Sequence, residues 1–194
     1  LNDGGANITH YELSMDVLGL LFEFPTFDSA NVGIVDTTNW YGELNDFTFS
    51  AFVTTNAVTK QTIFGRHVSG ISTGYKLWIK DGIITWGSYP WADGIYCSSS
   101  ASIAVVVGDR THLALIRRSQ TFELYINGIL SCTTPFTKTW QDAAAVVTPD
   151  NLVLGAHYSG TSASSATYDV FQGRIEEAKM YDAALSLNAV AFLN

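Results

Sequence analysis

What this 194-residue chain has little of narrows its class before any motif is read. Basic residues are few: 10 Lys and Arg stand against 18 Asp and Glu, a net charge of −8, and the only basic cluster is Arg117-Arg118. A surface of that sign repels phosphate backbones, which argues against nucleic acid as a partner and disfavours heparin-like polyanions. Cysteine is nearly absent, and Cys97 and Cys132 have no Cys or His neighbours at ligand spacing, so a zinc site is excluded. Although 47% of the residues are hydrophobic and only 14% charged, no apolar run approaches the roughly 20 residues that a membrane-spanning helix needs. The four histidines (His10, His67, His112, His157) are scattered, and no nucleophile elbow, phosphate loop or metalloprotease helix is found. The chain begins at Leu1 without a Met; we read it as a mature or excised piece, in which a targeting signal would not be visible.

What is present is strand. Alternation with period two runs through "FTFSAFV" (47–53), "YKLWIK" (75–80), "IITWG" (83–87), "IAVVV" (103–107), "THLALIRR" (111–118), "FELYIN" (122–127) and "NLVLGA" (151–156). Helical periodicity is confined to "LNAVAFL" (187–193), where Ser186 is placed to cap one short helix. The small, polar stretch "SGTSASSATYD" (159–169) reads as a mobile surface loop. These features predict an all-β fold, a β-sandwich of antiparallel sheets with at most one short C-terminal helix, formed by a single domain over 1–194. Abundant Ser, Thr, Gly and Asn with scarce Lys suit a secreted or particle-surface protein.

Two turns fix which way side chains point. Asp81-Gly82 and Asn127-Gly128 each sit between alternating strands, the strongest short hairpin signal. A two-residue loop at 81–82 opposes Lys80 to Ile83, Ile79 to Ile84, Trp78 to Thr85 and Leu77 to Trp86. Directly opposed residues share a face, so Tyr75, Leu77, Ile79, Ile84 and Trp86 form the buried face, while Trp78 lies on the other, flanked by Lys76 and Lys80. The same exercise at 127–128 opposes Ile126 to Ile129, Tyr125 to Leu130, Leu124 to Ser131 and Glu123 to Cys132. That register buries Phe122, Leu124, Ile126 and Ile129 and puts Cys132 on the outer face. A free Cys usually hides in the core, so an outward Cys132 points to a disulfide with Cys97; the alternative is two free buried thiols.

The stretch "WGSYPWADGIYC" (86–97) is dense in aromatics. Aromatic rings offer flat apolar faces to pyranose C–H groups, and Asp binds hydroxyls, so Tyr89, Trp91, Asp93 and Tyr96 make one candidate glycan-binding loop, stiffened by Pro90. Trp78 with Lys76 and Lys80 is a second candidate and Trp40-Tyr41 a third. For any single Trp the plainer reading is packing over a sandwich edge; for the loop as a group, exposed aromatics favour a partner.

Four blocks resemble laminin-G-like and pentraxin-like domains. "GDRTHLALIRRSQTFELYINGIL" (108–130) is similar to their central segment, in which His112 takes the place of a structural His. "LLFEF" (20–24) and "FTFSAFV" (47–53) resemble two earlier strands, and "FQGRIEEAKMYDAALS" (171–186) the closing motif. The resemblance implies a concanavalin-A-like jelly roll, two packed antiparallel sheets, one of them concave. Glycosidase relatives carry two Glu and an Asp on one strand face; neither that spacing nor the Arg, Gln-x-His and Tyr clusters of lyase relatives occurs here, so the resemblance implies no enzyme. Many relatives hold calcium through carboxylates and carbonyls. The positions that correspond are Glu23 and Glu176, both Glu where the family usually has Asp, and the alternative is pairing of these acids with Arg174 or Lys179.

Two functions follow as expectations. One is a non-catalytic glycan-binding or adhesion module of a secreted or surface protein, with carbohydrate or glycoprotein as partner. The other is a structural interaction domain of a filament, surface layer or viral particle, in which the aromatics serve self-association or contact with neighbouring chains.

Overall fold

Asp81 and Gly82 have φ values of 54° and 76°, and Asn127 and Gly128 values of 49° and 74°. Two successive positive φ angles make the type I′ turn, whose twist matches that of the flanking strands. The computed structural model describes residues 20–23, 27–28, 33–35, 46–68, 73–88, 96–99, 104–135, 152–158 and 167–192. In chain order its strands are β1 (Leu20–Glu23), β2 (Phe27–Asp28), β3 (Gly33–Val35), β4 (Phe47–Thr55), β5 (Gln61–Val68), β6 (Thr73–Lys80), β7 (Ile83–Ser88), β8 (Tyr96–Ser98), β9 (Arg110–Arg118), β10 (Thr121–Ile126), β11 (Ile129–Pro135), β12 (Leu152–Leu154), β13 (His157–Tyr158), β14 (Thr167–Tyr168) and β15 (Gly173–Tyr181). One helix, α1 (Leu187–Phe192), follows.

The first sheet has the order β1-β15-β4-β9-β10-β11, with β2 also on β15; the second has the order β3-β12-β5-β6-β7-β8; β13 and β14 form a small ribbon. Every pairing is antiparallel. Between the two large sheets lies the core, fed by alternate residues of each strand: Phe47, Phe49, Ala51 and Val53 from β4, Leu113 and Leu115 from β9, Leu77 and Ile79 from β6. Aromatic rings interdigitate across it. Trp86 stacks on Phe122 at 3.8 Å between centroids, and Phe49 meets Phe64 at 4.0 Å.

The outer face of the first sheet is apolar over half its width. Ala114, Ile116, Tyr125 and Tyr181 there are covered by Leu185 and Val190 from the C-terminal segment. Ser186 caps α1 as expected, its Oγ accepting from Ala189 N at 3.2 Å. Arg118 donates to the carbonyl of Leu185 at 2.9 Å, and Leu185 N donates to Thr48 Oγ1 at 3.0 Å, fixing the strap to the sheet. The closing motif's Gly173 has φ 146°, and a Cβ there would lie 2.0 Å from Thr54 O. Only glycine lets β15 approach β4 so closely.

The 81–82 hairpin has the expected register, from Lys80 opposite Ile83 through Leu77 opposite Trp86, and Trp86 is fully buried. The side chain of Tyr75 lies outside what the structure describes.

The 127–128 hairpin departs from expectation after two pairs. Leu124 opposes Cys132, not Ser131, and Glu123 opposes Thr133, because Ser131 is an extra residue at a β-bulge. One inserted residue exchanges the faces of everything beyond it. Cys132 therefore faces the core, not the outside, and bonds to the buried Cys97 with a Cα–Cα separation of 5.8 Å. Since β8 and β11 are the last strands of their sheets, the disulfide joins the two sheets at one edge of the sandwich. Ile129, expected in the core, is 61% exposed at the end of this edge strand.

Three further corrections concern element type. Within "IAVVV", residues 104–107 are loop and turn, not strand, and Val106 and Val107 are exposed. β5, "QTIFGRHV", did not stand out because Ile63 and Phe64 are both buried around a register shift, which breaks alternation. The end of the 159–169 stretch is not loop: Thr167 and Tyr168 pair with β13, and Asp169 is held by two ion pairs.

Candidate functional site

The outer face of the second sheet is built from two cross-strand rows. Thr62, Trp78, Thr85 and Ser98 stand opposite one another on β5, β6, β7 and β8. In the next row Gly65, Lys76, Gly87 and Tyr96 do so. Apart from Tyr96, whose backbone alone is described, the cross-strand neighbours of Trp78 and Lys76 in these two rows are thus Gly, Thr or Ser. An indole and an ammonium stand among small neighbours, with the Thr85 and Ser98 hydroxyls hydrogen-bonded to each other at 2.9 Å. Lys76 Nζ lies 5.1 Å from the centroid of the Trp78 ring, within cation–π range.

This face is not bare. Trp78 is 9% exposed and Lys76 5%. Asp169, on the short link after β14, anchors to the sheet by accepting from Thr62 N through its carbonyl at 2.6 Å. Its carboxylate Oδ2 meets both Lys60 Nζ at 2.7 Å and Lys76 Nζ at 3.4 Å. Burial, and then the charge of Lys60, lower the Lys76 pKa against the opposing pull of Asp169. Burial works in the other direction on Asp169, raising its pKa, but the hydrogen bonds and charges of the two lysines outweigh it and hold the carboxyl below its usual range. The asymmetry follows from surroundings: Lys76 is buried with the like charge of Lys60 beside it, while Asp169 accepts from both lysines. Lys60 and Asp169 carried no mark in the sequence. Their only signal is the polar Lys76 within a strand whose other face is core.

Of the aromatic loop, Tyr89, Trp91 and Asp93 lie outside the described residues, as does Trp40-Tyr41. Tyr96 is described in its backbone: it pairs with Gly87, in the row of Lys76. The connection from β7 to β8 therefore leaves and rejoins the sheet beside that row, and Cys97, the next residue, is tied inward by the disulfide.

The two acids expected near calcium are placed differently. Glu23 sits opposite Lys179 in the β1–β15 pairing. The Glu176 carboxylate lies 3.1 Å from Arg174 Nη2 and 3.5 Å from Arg110 Nε. Two guanidinium groups already match its charge, and among the described residues no three His, Cys, Asp or Glu side chains gather for a cation. This donor set does not fit calcium at Glu176. Arg110 also lies over the Phe52 ring at 3.4 Å from its centroid and bonds Glu177 at 2.8 Å.

Ser50 and His112 form a hydrogen-bonded pair at 2.9 Å, which superficially suggests a nucleophile and its base. Both are buried, and His112 Nδ1 has no partner among the described residues to orient the ring. Burial first, and the charge of Arg110 second, push the His112 pKa down to about 4. The imidazole is a neutral, buried group on the outer face of the first sheet, beside Ser50 and Phe52, and the His112 backbone N–H donates to Asn127 Oδ1 at 2.8 Å.

Two packed antiparallel sheets of this kind make a jelly-roll sandwich. A family model described as the concanavalin A-like lectin/glucanases superfamily matches residues 28–191, and the chain belongs to that superfamily. No curated protein matches it. Among solved structures, it is similar to the CBM40 module of the Ruminococcus gnavus IT-sialidase bound to α2,3-sialyllactose, at TM-score 0.70 and 17% identity over 91% of this chain and 100% of that one. The same module bound to α2,6-sialyllactose gives a TM-score of 0.68 at 17% identity, over 90% and 99% of the two chains. A heptameric pentraxin from Limulus polyphemus gives 0.58 at 14% identity, over 89% of this chain and 72% of that one.

Proposed function

We propose that this domain is a non-catalytic glycan-binding module of a secreted or surface protein. The observation that carries the reading is the outer face of the second sheet, where Trp78 and Lys76 stand among Gly, Thr and Ser residues beside the root of an aromatic loop. Trp78 and Lys76 are nearly buried and form the floor of the proposed site, over which the aromatic loop would supply the ring faces and polar groups that a sugar engages. The likeness to CBM40 structures carrying sialyllactose supports the same reading, and Tyr89, Trp91, Asp93 and Tyr96 complete the proposed site. A glycan array run with calcium and with chelator tests it. Binding to a defined set of glycans is expected, and silence across the array contradicts it.

A second reading, assembly with neighbouring chains, is favoured by one observation. The large hydrophobic side chains exposed among the described residues are Val58, Val106, Val107, Ile129, Leu130 and Val170. All belong to the end of the sandwich that holds the 81–82 and 127–128 turns, where Asp81 N bonds Val58 O and Val105 N bonds Gly82 O. Sizing beside the array separates the readings: an oligomer with no glycan bound favours assembly.

A further inference from the structure

We infer that Asn127-Gly128, at the tip of the β10–β11 hairpin, is a site of spontaneous covalent modification: deamidation through a cyclic imide to aspartate and isoaspartate, with water as co-reactant. This goes beyond the glycan-binding reading and does not depend on it.

The pair is the only Asn-Gly in the chain, and glycine, having no side chain, leaves its main-chain nitrogen open to the side chain before it. Gly128 N attacks Asn127 Cγ and closes a five-membered imide. The Cγ–Nδ2 bond breaks, and Nδ2 leaves as ammonia with the proton given up by Gly128 N. Water then adds to one of the two imide carbonyls. Opening at Cγ gives aspartate; opening at the former main-chain carbonyl gives isoaspartate, in which the chain runs through Cβ and Cγ. No oxidant or reductant takes part, and the net change is replacement of an amide NH2 by OH.

Both residues are exposed. Asn127 is clamped to the neighbouring strand: its main-chain N–H donates to His112 O at 2.9 Å, and its Oδ1 accepts from His112 N at 2.8 Å. A hydrogen bond donated to a carbonyl oxygen stabilises the negative charge that develops there when a nucleophile adds to its carbon. The clamp uses Oδ1 and the main-chain N–H, and the leaving nitrogen Nδ2 is no part of it. Asp81-Gly82 supplies a comparison within the molecule, in a turn of the same type. There Gly82 is buried, its carbonyl accepts from Val105 N at 2.8 Å, and a Cβ on it would lie 3.6 Å from Ala104 Cβ. A carboxylate is also a poorer electrophile than a carboxamide. One turn is open and activated; the other is packed and inert.

The two products differ in effect. Aspartate keeps an acceptor for His112 N, and the chain itself uses Asp-Gly in this turn at 81–82. Isoaspartate adds a main-chain atom to a two-residue loop whose length sets the register, and so displaces the pairing of Ile126 with Ile129. Among the described strands β11 pairs only with β10, so its first residues are the ones released, as far as the tie at Cys132.

The test is incubation of the folded protein at 37 °C, at pH 6 and pH 8.5, beside the reduced chain in urea. Peptide mass spectrometry reads loss of the amide, and enzymatic carboxyl methylation reads isoaspartate. In the folded protein Asn127 is expected to lose its amide several-fold sooner than Asn56 or Asn188. The loss should be faster at the higher pH, because Gly128 N must give up its proton, and isoaspartate should form at 127 and not at 81. Hydrogen exchange should rise at residues 126–131 in the isoaspartyl fraction alone, and Asn127→Asp should melt as the wild type does. An amide retained at 127 in the folded protein after the unfolded chain has lost it overturns the inference, as does isoaspartate formed at 81 as readily as at 127. An isoaspartyl fraction that exchanges like the starting protein, or Asn127→Asp that melts well below it, overturns the effects assigned to the two products.

Discussion

Trp78 and Trp86 sit eight positions apart on neighbouring strands, and their sheet faces decide what each does. Trp86, opposite Leu77, enters the core and stacks on Phe122; Trp78, opposite Thr85, stands on the outer face under Lys76. Trp86→Ala is expected to cost about 3–5 kcal/mol, the usual range for a large core aromatic, as measured by urea unfolding. A loss under about 1 kcal/mol would place the ring outside the core. His112 supplies a second residue-scale expectation. Its pKa is about 4 in the fold against 6.5 for an ordinary His, so between those values the unfolded chain binds a proton that the folded chain does not. Stability contributed by the neutral ring is therefore full above pH 6.5 and lost as pH falls toward 4, at up to about 1.4 kcal/mol per pH unit. Urea midpoints of wild type and His112→Gln between pH 7 and 5 should converge as the pH drops; parallel curves would contradict the assignment.

At the scale of elements, the disulfide is the main staple between the sheets at the β8–β11 edge. Replacing both cysteines by Ala is expected to cost about 3–4 kcal/mol on the chain-entropy estimate, and alkylation of unreduced protein should label neither thiol; labelling of both contradicts the bond. The bond was expected from the sequence, but with Cys132 on the wrong face. The reason is instructive. A type I′ turn is announced by Asp-Gly or Asn-Gly and propagates register outward, so the 81–82 hairpin was legible residue by residue. A bulge such as the one at Ser131 leaves no comparable mark, since an extra Ser on an edge strand looks like any polar position. β5 was missed for the same cause, its bulge setting Ile63 and Phe64 both inward. "IAVVV" erred the other way: β-branched residues suit strands, yet Val106 and Val107 serve an exposed turn. The site was legible in part. Alternation put Trp78 and Lys76 on one outer face, but the partners from Lys60 and Asp169 come from loops, whose approach to a sheet no local pattern encodes.

For the whole molecule, the sandwich presents three surfaces of different character. The outer face of the first sheet is half sealed by the C-terminal strap, one end carries the exposed aliphatic side chains, and the outer face of the second sheet holds the indole and the lysine cluster. The proposed glycan site belongs to the third, at the root of the β7–β8 connection, whose return strand is tied by Cys97. Anchoring that return limits the ordering entropy lost when a weak ligand binds. The most direct measurement is a glycan array on wild type and Trp91→Ala, with the melting temperature of each recorded alongside. Wild type should bind a defined set of glycans, and Trp91→Ala should lose that binding while melting at nearly the same temperature. Absence of any bound glycan by wild type, or Trp91→Ala that binds undiminished or unfolds outright, would contradict the account.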